Sequence, residues 1–156
     1  MIAVVDDWWG GRHMRDMLPK LFFAHFRPTS FAAEIDGRLA GFLCGFVSQT
    51  DPAIAYVHFV GVDPAWRGEN IGRALYERLF AAARNAGCRE VRAVTSPANG
   101  ASIAFHRRIG FTPLPGPATV GDVPYTPGYD GPGEDRVVFA RLLSSANPDD
   151  PHGDGC

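Results

Sequence analysis

The sequence predicts a single α/β domain, and three observations carry that prediction. Apolar runs of strand length occur at residues 30–36, 38–49, 54–62, 89–95 and 136–143. Between the third and fourth of these, Ile71, Ala74, Leu75, Leu79, Ala82, Ala83 and Ala86 recur at helical spacing. The chain has 156 residues, 46% hydrophobic and 21% charged, which suits one packed core and excludes a disordered chain.

In order, residues 2–5 (Ile-Ala-Val-Val) read as a short first strand, followed by a loop through Trp8, Trp9, Gly10 and Gly11. Helical character then runs to about Phe26. Pro19 lacks the N–H that a helix interior needs, so two short helices are expected, near 11–18 and 19–26. Leu21, Phe22 and Phe26 make an apolar stripe on them. Residues 30–36 form a strand, and Asp36-Gly37 a hairpin turn into the strand at 38–49. Asp51-Pro52 turns the chain into the strand at 54–62. The main helix spans about 71–86, with Gly87 as its cap. A strand at 89–95, a short helix at 99–109 ended by Gly110, and a strand starting at Phe111 follow. Residues 115–133, rich in Pro, Gly, Tyr and Asp, read as a long loop, and 136–143 as the last strand. The domain is expected to occupy 1–143, with 144–156 a polar, disordered tail.

The net charge of −2 gives no electrostatic case for nucleic acid or an anionic membrane. No apolar run is long enough to span a bilayer and no signal peptide opens the chain, so a cytoplasmic protein is expected. Cys44, Cys88 and Cys156 are odd in number and far apart, which argues against a disulfide framework or a metal cluster.

The most informative stretch joins the strand at 54–62 to the main helix. Gly68 and Gly72 sit where backbone turns sharply or approaches something closely, and a helix start offers free N–H groups to an anion. Neither the dinucleotide fingerprint nor the P-loop spacing fits. The residues resemble the coenzyme A pyrophosphate loop of the GNAT-family N-acetyltransferases, V-x-P-x-x-R-G-x-G-x-G-K/R. They match at Val62, Pro64, Arg67, Gly68, Gly72 and Arg73. Asn70 stands where the family usually has glycine. Asn is the non-glycine residue most tolerant of positive φ. A second stretch resembles the family signature N-x-x-A/S-I/L-x-F/L-Y-x-x-x-G-F, matching at Asn99, Ser102, Ile103, Phe105, Gly110 and Phe111, with His106 in place of the Tyr.

The resemblance implies a GNAT fold: a mixed, mostly antiparallel sheet of about seven strands, with helices on both faces. It implies acetyl-CoA as co-substrate, without a metal. The strands before and after the coenzyme loop should run parallel and splay apart. Residues Arg67, Gly68, Glu69, Asn70, Ile71, Gly72 and Arg73 would take the pyrophosphate. Main-chain groups of Val60 and Val62 would pair with the pantetheine arm, with Gly61 between them as a bulge. Asn99, Ile103 and His106 would line the same arm. His106 would also serve as the acid for the departing thiolate. His58, four residues before Val62 and so expected on the face of Val60 and Val62, is the candidate base.

Trp9, Tyr56, Tyr125, Tyr129 and Asp130 are candidates for the acceptor pocket, since aromatics with an acid suit an amine cation. The function expected is acetyl transfer to a primary amine of a small molecule or protein, by direct attack in a ternary complex. A catalytically silent acyl-CoA-binding regulatory module is the second reading, and domains of this family often dimerise. The motifs concern the coenzyme side alone, so the acceptor stays open.

Overall fold

The computed structural model describes residues 2–144. The chain forms α1 (Ile2–Trp8), α2 (Leu21–His25), β1 (Phe31–Ile35), β2 (Arg38–Val47), β3 (Ile54–Val62), α3 (Ile71–Asn85), β4 (Glu90–Thr95), α4 (Gly100–Arg108), β5 (Thr112–Pro113), β6 (Ala118–Val120), β7 (Val123–Tyr125) and β8 (Val137–Leu142). Six strands make one sheet in the order β1-β2-β3-β4-β8-β5, and β6-β7 is a separate hairpin. All neighbours in the large sheet are antiparallel except β3 and β4, which are parallel. The mixed sheet is as expected.

Helices cover both faces because the strands alternate. On β2, Leu43 joins the larger core with Leu75, Tyr76, Leu79 and Phe80 of α3, as does Ala40, which the register of β2 against β1 leaves unmatched in a bulge. Phe42 and Cys44 point the other way, into a smaller core with Val5 and Trp8 of α1, Leu18, and Phe22 of α2. The helical spacing in α3 buries Ile71, Leu75, Leu79 and Ala83 along one stripe. Both long helices stop as glycine requires. Gly87 (φ +83°) and Gly110 (φ +88°) are left-handed, and the next N–H of each, Cys88 and Phe111, bonds back to Ala83 and His106. Asp36 and Gly37 both have positive φ, which matches the right-handed twist of the β1–β2 hairpin.

Three expectations need correction. Residues 2–5 are not a strand but the start of α1. A four-residue apolar run carries no period that separates helix from strand. Here Val5 and Trp8, three apart, land on one helical face, and Trp8 stacks on Phe42 at 5.9 Å. The two expected helices after Gly11 shrink to a 3-10 turn at Arg15–Met17 and the five residues of α2, with Pro19 between them. The long loop at 115–133 contains the β6–β7 hairpin. The tail expected beyond residue 143 lies, from residue 145 on, outside the described residues.

Candidate active site

β3 pairs with β2 along its length but meets β4 at three positions only, Ile54, Ala55 and Tyr56. Beyond Tyr56 the two parallel strands part, and Ala93 to Thr95 of β4 pair with β8 alone among the described residues. The gap is lined by main chain. In an antiparallel pair, opposed residues alternate between exchanging both hydrogen bonds and turning both groups away. The Asp63 N–H donates to the Ala40 carbonyl at 3.0 Å. With Val62 opposite Gly41 and Val60 opposite Leu43, Val60 and Val62 therefore turn their N–H and C=O groups away from β2, into the gap.

One extra residue sets this phase. Cys44 faces Phe59 while the next residue, Gly45, faces Val57, so His58 is unmatched. This bulge, and not one at Gly61, interrupts β3. It sends the side chains of His58 and Phe59 to the same face. His58 stacks on Phe22, and Phe59 packs against Trp9. The side chains of Val60 and Val62 pack into the larger core on the other face. The expectation that His58 shares their face fails because a bulge inverts the two-residue alternation.

Past Val62 the Asp63 carboxylate accepts from the Ala65 N–H at 2.9 Å and starts a 3-10 turn at Pro64–Trp66. Gly68 (φ +95°) and Asn70 (φ +59°) then wind the chain into α3. Asn70 adopts the left-handed backbone that its residue type tolerates. The first α3 bond runs from the Ala74 N–H to the Asn70 carbonyl, so the N–H groups of Ile71, Gly72 and Arg73 have no backbone partner among the described residues. The first turn carries no acid. Gly72 has a second role, because a Cβ there would lie 3.2 Å from the Phe105 ring of α4. The exposed side chain of Arg73 lies 4.0 Å from Glu77. The Glu69 N–H bonds weakly to the Trp66 carbonyl, and Arg67 donates to the Trp8 carbonyl at 3.4 Å.

On α4, Asn99 caps the helix by accepting from the Ser102 N–H at 3.1 Å. Ile103 is buried in the larger core rather than lining the gap. His106 departs furthest from expectation. It is 3% exposed, lies flat on Phe139 at 4.9 Å, and has both ring nitrogens engaged. Nδ1 lies 2.8 Å from the Ser102 carbonyl oxygen, which can only accept, so Nδ1 carries the proton. Nε2 then accepts from the Tyr76 hydroxyl at 2.8 Å. Burial lowers the His106 pKa, against the opposing effect of the Ser102 bond. A neutral imidazole with both nitrogens occupied in the core is not placed to protonate a thiolate. The residue acts as a core hydrogen-bond bridge from α4 to α3. Sequence reasoning missed its partner, Tyr76; the available signal was a tyrosine among the leucines of a buried helical stripe.

On the opposite face, Tyr56 stacks on Phe46 at 5.5 Å. Its pKa is raised, chiefly by burial and then by Tyr129 and Asp130 of the loop beyond β7. That loop is tied by the Thr126–Arg136 backbone pair and by Arg136, which bonds Asp130 at 2.6 Å and Glu134 at 2.7 Å. Tyr56, Tyr129 and Asp130 are thus brought together, with the Asp130 charge already met by Arg136. Trp9 belongs to another part of this face, where it covers Gly61 and packs on Phe59 at 5.1 Å. Tyr125 is not with them. It packs against the larger core, on the α3 side.

The profile of the Acetyltransferase (GNAT) family matches residues 2–111, which is more than half of the chain. The chain belongs to the GNAT acetyltransferase family. It is 36% identical over 85 residues to an L-2,4-diaminobutyric acid acetyltransferase of Nocardia farcinica, covering 54% of this chain and 44% of that one. It is 36% identical over 82 residues to the N-alpha-acetyltransferase RimI of Mycobacterium tuberculosis, covering 49% and 50%. The chain thus spans half or less of the length of these curated relatives. Among solved structures, the ribosomal-protein-S18-alanine N-acetyltransferase of Escherichia coli matches with a TM-score of 0.56 and 26% identity, over 77% of this chain and 72% of that one. Naa20 of Chaetomium thermophilum matches in fold with a TM-score of 0.65 at 21% identity, over 82% and 76%. In this GNAT chain the segment Arg67 to Arg73 lies between the end of β3 and the start of α3, at the mouth of the β3–β4 gap. Among the described residues no helix is long and apolar enough to cross a membrane.

Proposed function

We propose that the protein transfers an acetyl group from acetyl-CoA to a primary amine of a small molecule or of a protein N-terminus, by direct attack in a ternary complex. The observation that carries this reading is the opened edge of β3, where Val60 and Val62 present unpaired main chain beside three free N–H groups at the start of α3. These residues fit coenzyme A. The donor cluster is free of carboxylates in its first helical turn and suits a pyrophosphate. The outward main chain of β3 suits an amide-bearing arm added like a strand. The side-chain amide of Asn99 stands at the start of α4, on the far side of the gap.

Bound there, acetyl-CoA supplies an acetyl thioester that an amine can attack. The amine nitrogen bonds to the carbonyl carbon, the carbon–sulfur bond breaks, and the thiolate leaves. His58, on the acceptor face, takes the proton that the amine loses. A main-chain N–H of Val60 or Val62 meets the developing oxyanion. Trp9, Tyr56 and Tyr129 wall the acceptor side, and the Asp130–Arg136 pair holds Tyr129 there. The named relatives act on diaminobutyrate and on protein N-termini, which makes both the first acceptors to try.

The test is thermal stability with acetyl-CoA, followed by turnover. A ligand at about a hundred times its Kd adds about 2.7 kcal/mol to the folded state, or roughly 5–11 °C in Tm for a chain of this size. Wild type should show that shift, and Arg73→Glu, altered at a residue 66% exposed, should lose most of it. Release of free thiol is then followed with L-2,4-diaminobutyrate and with an alanine-ended peptide. His58→Gln should lower kcat by about a hundredfold or more. No shift in wild type overturns the coenzyme site. A shift with no turnover on any amine favours the silent acyl-CoA-binding module.

A further inference from the structure

His58 lies among groups that determine which of its nitrogens can take a proton. Its Nε2 lies 2.9 Å from the main-chain carbonyl of Met17. A carbonyl oxygen only accepts, so Nε2 carries the hydrogen and the lone pair of the neutral ring is on Nδ1. The Phe22 ring lies parallel to the imidazole, 4.5 Å away and tilted by 16°. Phe22 is itself buried and backed by Phe26 at 5.4 Å. A half-turn of the imidazole would put a C–H where Nε2 now stands, so the Met17 bond selects the ring's orientation as well as its tautomer.

The carbonyl is in turn held in place. Met17 ends the 3-10 turn at Arg15–Met17. Asp6, buried at the end of α1, grips the start of that turn. Its Oδ1 accepts from the N–H groups of Met14 and Arg15 at 2.7 and 2.9 Å, and its Oδ2 from the Arg15 side chain at 2.6 Å. The Asp6 carboxylate has no other use in the chemistry described above. The bulge in β3 completes the arrangement by turning His58 toward this segment.

We propose, building on the assignment of His58 as the base, that Asp6, the Met17 carbonyl and Phe22 form a clamp that fixes His58 in its Nε2–H form and makes Nδ1 the atom that accepts the amine's proton. Nδ1 is the ring nitrogen nearer the strand, and so nearer the β3 edge that opens beyond Tyr56. When Nδ1 takes the proton, the positive charge spreads to Nε2–H, and its bond to Met17 becomes charge-assisted. The carbonyl thereby favours the protonated ring as it forms and gains no proton itself. Phe22 and Asp6 are positioning residues, acting through His58.

The test reads the resting protein. Long-range ¹H–¹⁵N spectra of the full chain at about pH 8, where an ordinary imidazole is neutral, report which nitrogen of each histidine bears hydrogen. His58 should favour Nε2–H by about two- to tenfold, the ratio one net hydrogen bond sustains. His106 should show the opposite tautomer, Nδ1–H, in the same spectrum. Phe22→Leu and Asp6→Asn should each move His58 toward equal tautomers while leaving His106 unchanged, and Phe22→Tyr, which keeps the stacked ring, should restore the preference. A wild-type His58 in the Nδ1–H form overturns the clamp, even if neither variant folds. So does an unchanged preference in folded Phe22→Leu and Asp6→Asn. The assignment of His58 as base fails separately, when His58→Gln keeps full turnover. In that case the clamp loses its catalytic role even with the tautomer confirmed.

Discussion

Replacing Tyr76 with phenylalanine tests the bridge between α3 and α4. The substitution keeps the ring in a fully buried site and removes only the hydroxyl that donates to His106 Nε2 at 2.8 Å. The imidazole nitrogen is then left without a donor in the core. A buried polar atom stripped of its partner costs about 1–3 kcal/mol, or roughly 2–12 °C in Tm for a chain of this size. The cost should also depend on pH. Burial lowers the His106 pKa, whereas the unfolded chain titrates near the ordinary value of about 6.5. Below that value the unfolded chain binds a proton that the folded chain resists. Wild-type stability therefore holds above about pH 6.5 and falls toward the lowered folded value, at no more than about 1.4 kcal/mol per pH unit. The hydroxyl favours the neutral imidazole, so removing it lets the folded-state pKa recover and lessens the acid loss. Urea unfolding followed by fluorescence should show Tyr76→Phe weaker than wild type at about pH 7.5 and the gap narrowed near pH 5.5. Equal stability at the higher pH, or a gap that widens in acid, would refute the bridge.

Other expectations follow from single contacts. Gly61→Ala puts a Cβ 2.4 Å from Trp9 and 2.9 Å from Phe42, so the indole must move. A loss of about 1–3 kcal/mol and altered tryptophan emission are expected, and an unchanged spectrum would contradict the packing. Asp6→Asn should speed proteolysis at Gly10–Gly11, because the clasp on Met14 and Arg15 closes that loop; cleavage rates decide this. Burial pushes the Cys44 thiol up to about 12. Mass spectrometry should find it unlabelled by a thiol reagent in the folded chain and labelled in urea.

Much of the central architecture was legible because it is local. The limits of β3 follow from its apolar run, the end of α3 from Gly87, and the β1–β2 turn from Asp36-Gly37. The left-handed Asn70 followed from its residue type. Features that depend on distant pairing were not legible. The bulge at His58 exists only in the register of β3 against β2, and it reversed the expected face of that residue. His106 joins Tyr76 across thirty residues of sequence, and no spacing rule links them. Tyr125 and Tyr129 are close in the chain, yet Tyr125 packs against the larger core while Tyr129 lies beside Tyr56. The role of α1 depended on whether Val5 and Trp8 had an aromatic partner, and that partner, Phe42, lies on β2.

The position of β8 has a consequence for how the molecule is made. It is the last described strand, yet it lies inside the sheet, between β4 and β5. Glu90 waits for Leu142, and Thr95 for Val137. While the chain is being synthesised, everything through α4 can leave the ribosome before the partner that seals β4 exists. Until then β4 presents an unsealed apolar edge, with Val91 and Ala93 unable to complete the core with Val137 and Phe139. A chain halted after residue 111 would hold the whole stretch that marks its family, yet it would lack the strand that makes the stretch a closed body. Folding of the large sheet therefore finishes with β8, and premature stops before β8 should yield aggregates rather than a weakened fold.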